Sequence, residues 1–188
     1  MDKASSDIAT TPRLLLRNLR ESDVTSAYVS GLNDPEVTDQ TEARGRRWSE
    51  AEIRSYVAES NQPGVSQLIG IFLREGRKHI GNIRLSGISA RHQRVDLGIM
   101  IFDKAEWGKG YATESLEGVS GYVFKALGFN RICADYHATN TSSARIFAKA
   151  GFVREGVFRR HFRVDGAYVD SVRVARLASD PKEGASKS

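Results

Sequence analysis

Apolar and polar positions change rhythm repeatedly along this chain, and the changes predict a mixed fold. Residues 13–17 alternate weakly around Leu14 and Leu16 and predict a first strand, after which Ser22 is placed to cap a helix running to about Leu32. A polar stretch, 33–48, follows. Ser49 and Glu52 form a Ser-x-x-Glu capping box, and Ile53, Tyr56 and Val57 then recur at helical spacing until Pro63-Gly64. Three strand-like runs, 66–73, 79–88 and 94–102, are separated by turn formers and predict an antiparallel meander. From Tyr111 the apolar residues Ala112, Leu116, Val119, Val123 and Leu127 fall on one helical face, and Gly128 supplies a left-handed stop. Residues 131–138 read as a strand and 142–150 as a short helix closed by Gly151. A hairpin of 152–164 with 168–177 turns at Asp165-Gly166. The pattern therefore predicts a strand-helix-strand unit inside an otherwise antiparallel sheet.

Size and composition narrow the class. The 188 residues, 40% of them hydrophobic, suffice for one domain with a real core, expected over 11–179 with polar tails at 1–10 and 180–188. Cys133 is the single cysteine, so no intrachain disulfide forms, and no Cys/His spacing resembles a metal site. The first residues lack the order of a signal peptide, and no apolar run approaches the roughly 20 residues that span a bilayer. A soluble protein of the cytoplasm is the expectation, without a membrane partner. The net charge of +5 is spread over scattered basic residues with no interleaved aromatic platforms, which argues against nucleic acid as a partner.

The candidate chemistry lies where a strand ends and the best helix begins. Gly108 and Gly110 let the backbone turn so that N–H groups converge at the positive end of the helix dipole, a geometry that binds phosphate, and Lys109 adds positive charge. The two glycines could equally make a tight turn and nothing more. Asp103 and Gly110 stand where a Walker loop has its first glycine and its Ser or Thr, and Thr113 stands where a dinucleotide fingerprint ends in glycine, so both nucleotide motifs are excluded.

Trp107-Gly108-Lys109-Gly110-Tyr111-Ala112-Thr113-Glu114 resembles the coenzyme A pyrophosphate loop of the GNAT acetyltransferase superfamily, in the form with Trp first that marks its RimJ/RimL-like branch. Asn140-Thr141-Ser142-Ser143, closing with Lys149-Ala150-Gly151-Phe152, is similar to that branch's second signature. The resemblance implies an α/β (α+β) GNAT fold: a mainly antiparallel mixed sheet of about seven strands, splayed between strands 4 and 5 and flanked by about four helices. It implies acetyl-CoA as co-substrate, with no metal. Pantetheine would pair with Ile99, Met100 and Ile101 as a missing strand. Backbone amides of Gly108 to Thr113, with Lys109, would hold the pyrophosphate. Asn140 would bond the pantetheine arm, while Phe147 and Lys149 would lie along the cofactor. Asn140 is also placed to cap its helix.

Direct attack of an amine on the thioester needs an oxyanion donor, a proton for the thiolate and a neutral amine. The resemblance implies a backbone N–H near Met100 or Ile101 for the first. Many relatives place a Tyr where this chain has Phe147, which cannot donate, so Ser143 becomes the candidate acid; a first-turn helical role serves it equally well. The Glu used as base by some relatives falls at Phe162. Asp96 is the candidate in its place, with His137, His161 or water as rivals. Specificity is expected from 33–48 and 155–170, where Arg44, Arg46, Arg47, Arg159 and Arg160 suit a negatively charged substrate. The acceptor classes are an amino sugar on a nucleotide, favoured slightly, a protein N-terminal amine, or a small amine. A homodimer is compatible with this reading. A module that senses acetyl-CoA without turnover is the alternative.

Overall fold

The computed structural model describes residues 7–41 and 43–181. Its strands are β1 (Asp7–Thr10), β2 (Leu14–Asn18), β3 (Gln67–Leu73), β4 (His79–Ser89), β5 (Arg94–Ile101), β6 (Arg131–His137), β7 (Val153–Val164) and β8 (Ala167–Leu177). Its helices are α1 (Ser26–Leu32), α2 (Pro35–Thr38), α3 (Glu50–Ser60), α4 (Tyr111–Gly121) and α5 (Thr141–Lys149). One sheet holds all eight strands in the order β1-β2-β3-β4-β5-β6-β8-β7. Every pairing is antiparallel except β5 with β6, which α4 connects. This is the GNAT fold expected from the sequence, with one strand more than foreseen. No helix among the described residues is long and apolar enough to cross a membrane.

The added strand is β1, inside the expected N-terminal tail. Two apolar residues, Ile8 and Ala9, show no periodicity, yet Ala9 pairs with Leu16 and Thr10 with Leu15, so the partner strand supplies the order that the segment's own sequence does not. Residues 1–6 and 182–188 of the expected tails lie outside the described residues. Asp180, also assigned to a tail, closes a turn by accepting from the Leu177 N–H at 2.7 Å.

Three other elements differ from expectation. Ser22 does not cap α1: the Asp23 carboxylate accepts from the Arg20 N–H and the Arg17 guanidinium, which fixes 21–23 as a 3-10 turn. Thr25 caps instead, accepting from the Tyr28 N–H. The polar stretch 33–48 contains α2, capped by Asp34 with Pro35 in its first turn, a favourable start that polarity conceals. The long helix passes at Tyr122 into a π turn, Tyr122–Ala126, before Gly128 turns left-handed.

Two cores flank the sheet. Leu14, Leu16, Ile69, Ile83 and Leu97 pack on one face with Leu116, Val119 and Val123 from the long helix and Phe147 from α5. Each such side chain contributes about 1.5–3 kcal/mol when fully buried. Gly118 permits the close approach of α4 to the sheet, because a β-carbon there would stand 2.9 Å from Thr11 Cγ2 and 3.0 Å from Leu16 Cδ1. On the other face Leu15, Leu68 and Phe72 pack with Tyr28, Ile53, Val57 and Phe102. His79 sits among the rings of Tyr28, Phe72 and Phe102, with its Nε2 at 2.9 Å from the Gly81 carbonyl and 2.8 Å from Asn82 Oδ1. Both partners accept, so Nε2 carries the proton. Burial then pushes the ring's pKa down to about 4, and the imidazole is neutral.

Candidate active site

The sheet opens at its centre. β5 and β6 pair only at Arg94↔Arg131, Val95↔Ile132 and Asp96↔Cys133. Beyond Asp96, β5 stays with β4 as far as Ile101↔Gly81, and β6 stays with β8 as far as His137↔Ser171. One edge of 97–101 is therefore left without a strand, as expected for the splay; counting β1, it falls between the fifth and sixth strands.

The opening ends on the glycine loop. The Phe102 and Asp103 N–H groups both donate to the Ile80 carbonyl, which stops the strand, and a 3-10 turn, Lys104–Glu106, redirects the chain. Trp107 Nε1 donates to the Ile101 carbonyl at 2.8 Å and folds the indole back over the strand end. Gly108 and Gly110 have φ of 75° and 84°, values that strain any residue with a β-carbon. Gly110 is the N-cap of α4 and offers no side chain, so the first-turn N–H groups of Tyr111, Ala112 and Thr113 have no intrahelical partner and no cap competing for them. Such a helix start accepts an anion.

Side chains that sequence reading did not find hold this loop. Lys109 was expected on the pyrophosphate, but its ammonium lies 2.8 Å from Glu106. Glu106 is 8% exposed and also pairs with Lys78, and hydrogen bonds from these two lysines hold its carboxyl below the ordinary carboxylate range. From the far end of the sequence, Arg13 reaches both Glu114 and the Lys109 carbonyl.

A cleft of about 500 Å³ runs from the loop between β5 and α5. Ile99, Met100 and Ile101 line one wall, and Trp107, Gly108, Gly110, Tyr111, Ala112 and Thr113 line one end. Asn140, Ser143, Phe147 and Lys149 line the α5 side, and Glu36, Val37 and Gln40 complete the lining from α2 and the residues after it. The structure thus gathers every expected cofactor residue except Lys109. Asn140 caps α5, its Oδ1 accepting from the Ser143 N–H at 2.9 Å, while its amide nitrogen keeps donor capacity. Phe147, 4% exposed, stacks on Tyr136 at 5.9 Å and meets Phe152 edge-on, forming the floor of the cleft. A second hollow of about 430 Å³ lies on α3 beside Trp48 and Tyr56, away from the loop.

The candidate proton acceptors lie elsewhere. Asp96 sits where β5 and β6 are still paired and accepts from Arg173 at 2.5 Å, so its carboxylate is engaged by a guanidinium and does not line the cleft. The His137 ring packs 4.4 Å from Phe162, and His161 lies between Phe158 and Phe162. Nor do the expected arginines line the cleft. Arg44 pairs with Asp39 and Asp165, Arg46 lies over the Trp48 ring, and Arg160 occupies a bulge whose N–H donates to Asp170.

Known proteins share this arrangement. A family model described as an acetyltransferase (GNAT) domain matches residues 13–153. Bacillus subtilis YoaA, an uncharacterized N-acetyltransferase, is 30% identical over 182 residues, covering 87% of this chain and 93% of that protein. The structure of RimL, a ribosomal L7/L12 alpha-N-protein acetyltransferase in complex with coenzyme A, matches with a TM-score of 0.82 at 20% identity, over 92% of this chain and 98% of that one. Spermidine N-acetyltransferase from Vibrio cholerae, in complex with CoA and spermine, matches with a TM-score of 0.79 at 22% identity, over 90% and 98%. The chain belongs to the GNAT acetyltransferase family. It is an N-acetyltransferase with RimJ/RimL-type relatives, and the alternative of a non-catalytic sensor finds no support among them.

Proposed function

We propose that the protein uses acetyl-CoA and transfers its acetyl group directly to a primary amine held in the same cleft. The observation that carries this reading is the unpaired edge of 97–101 running into the glycine nest at the start of α4. The fit is chemical as well as spatial. The backbone groups that 97–101 turns to its open edge suit the amides of pantetheine, and the first-turn N–H groups of α4 suit a diphosphate.

Acetyl-CoA supplies an acetyl group activated as a thioester. The chain's residues do the rest. The Met100 or Ile101 N–H supplies the donor for the developing oxyanion. Ser143, whose N–H is fixed by Asn140, lines the cleft; its Oγ delivers a proton to the departing sulfur and is reprotonated by the water that takes the amine's proton. Asp96 is engaged by Arg173 and neither His137 nor His161 lines the cleft, so water takes the amine's proton in this reading, and alignment provides the main acceleration.

The acceptor enters past Glu36, Val37 and Gln40. The relatives point to a protein N-terminus, like the substrate in the RimL structure's name, or a polyamine, like that of the spermidine enzyme. A nucleotide amino sugar loses the arginines that recommended it. Incubation with acetyl-CoA and a panel of N-terminal peptides, polyamines and nucleotide amino sugars, read by mass spectrometry, tests this. Acetylated peptide or polyamine is the expected result. Product from the nucleotide sugar alone would overturn the acceptor assignment, and no product from any amine would overturn the function.

A further inference from the structure

Arg13 stands between β1 and β2, 101 residues before Glu114, yet it is the most connected side chain at the glycine loop. Its Nε donates to Glu114 Oε2 at 2.6 Å and its backbone N–H to Glu114 Oε1 at 2.9 Å. Nη1 donates to the Lys109 carbonyl at 2.9 Å, and the guanidinium lies 4.5 Å over the Tyr111 ring. Nη2 lies 3.5 Å from the point where a β-carbon on Gly110 would stand, and it makes no hydrogen bond among the described residues. One side chain therefore touches Lys109, Gly110, Tyr111 and Glu114.

The supports of this arginine are themselves fixed. Thr11 Oγ1 donates to Glu114 Oε1 at 2.6 Å, and the Arg74 N–H holds the Arg13 carbonyl at 2.9 Å. Two left-handed glycines leave a loop with much backbone freedom, and N–H groups bind phosphate well only when they converge before the ligand arrives. Lys109 cannot provide that order, since its ammonium is turned to Glu106. A planar guanidinium can bond in several fixed directions at once, and here it ties a loop carbonyl, a loop ring and a helix carboxylate into one unit.

We propose that Arg13 is a positioning residue for the coenzyme A diphosphate. It holds the turn at 108–111 in its phosphate-receiving conformation and sets an uncommitted N–H donor beside Gly110. The inference rests on the reading of this loop as the acetyl-CoA phosphate site.

The test compares wild type with Arg13→Ala and Arg13→Lys in two measurements. Calorimetry gives the Kd for coenzyme A; kinetics give kcat and KM for acetyl-CoA and for S-acetylpantetheine, which has no diphosphate. Arg13→Ala is expected to raise the Kd and the acetyl-CoA KM about tenfold while kcat stays within twofold. Its kcat/KM for acetylpantetheine is expected to match wild type. Arg13→Lys keeps the charge and loses the fork, and falls between; it serves as the folded variant if circular dichroism finds the alanine form unfolded. Equal losses with both donors, or unchanged coenzyme A affinity in either variant, would overturn the role. Wild type that treats the two donors alike would instead remove the loop reading, and this proposal with it.

Discussion

The two ends of the cleft are built by different means. At the loop end, α4 and α5 stand on a core in which Leu116, Val119 and Val123 have no exposure, and the ligand-facing groups are backbone N–H groups set by glycine conformation. At the end proposed for the acceptor, α2 buries only Val37 and Thr38, and the rest of it and the chain after it are held by surface ties. Arg44 pairs with Asp39 and with Asp165 of the hairpin, Lys104 pairs with Asp34 and Glu36, and Thr139 donates to Gln40. Exposed ion pairs of this kind contribute about 0–1 kcal/mol each, far less than a buried aliphatic core. The invariant half of the reaction thus rests on packing, and the choice of amine rests on contacts that a few substitutions can rewrite.

That contrast can be broken or sharpened in four ways. Gly110→Asp forces a β-carbon into a left-handed position and adds negative charge at the phosphate nest; a roughly 100-fold weaker Kd for coenzyme A by calorimetry is expected. An unchanged Kd would move the phosphate site elsewhere. Acid should act on the opposite face, through His79. Its folded pKa, about 4, lies below the ordinary 6.5, so the unfolded chain binds the proton more readily between those values. Stability is then complete above about pH 6.5 and falls toward pH 4, by on the order of 2 kcal/mol, a loss readable in urea midpoints and absent in His79→Phe. Carboxylates held low by their partners, such as Asp23 and Glu114, lose their contribution as pH falls through their ordinary values of 3.8 and 4.5, at the acid end of that window and below it, and His79→Phe leaves that loss unchanged. Ser143→Ala should lower kcat about 30-fold with the acetyl-CoA KM within threefold; equal kcat would restrict Ser143 to its helical role. Arg44→Ala, the smallest, should change folding stability by less than about 1 kcal/mol and shift the acceptor KM a few-fold while leaving the coenzyme A Kd alone.

What could be read from the chain follows the same division. Gly108, Gly110 and the 140–152 segment were legible because their constraints are local: a backbone that must turn left, a helix that must be capped, a spacing kept within a dozen residues. Asp34-Pro35 carries the same kind of local signal, but α2 is a single polar turn of four residues, too short to show a periodicity. Arg13 with Glu114 and Asp96 with Arg173 were not legible. Each joins positions 77 or more residues apart, and only the strand order makes them neighbours. Asp96 has the right chemistry for a base, and its carboxylate is turned to Arg173. Lys109 had the right charge, and Glu106 took it.

The short parallel pairing of β5 with β6 also has a mechanical meaning. Three residue pairs join a half-sheet of β1 to β5 to a half-sheet of β6, β8 and β7, while the pairings that border this seam, β4 with β5 and β6 with β8, each run to seven. The sheet is stiff on both sides of a narrow seam. A ligand lying along 97–101 fills the gap like a splice, stitching the halves together where the protein's own backbone does not. A co-substrate bound as proposed would become a structural member of the enzyme for the length of each turnover, completing a sheet whose halves otherwise meet through three residue pairs and the core beneath them.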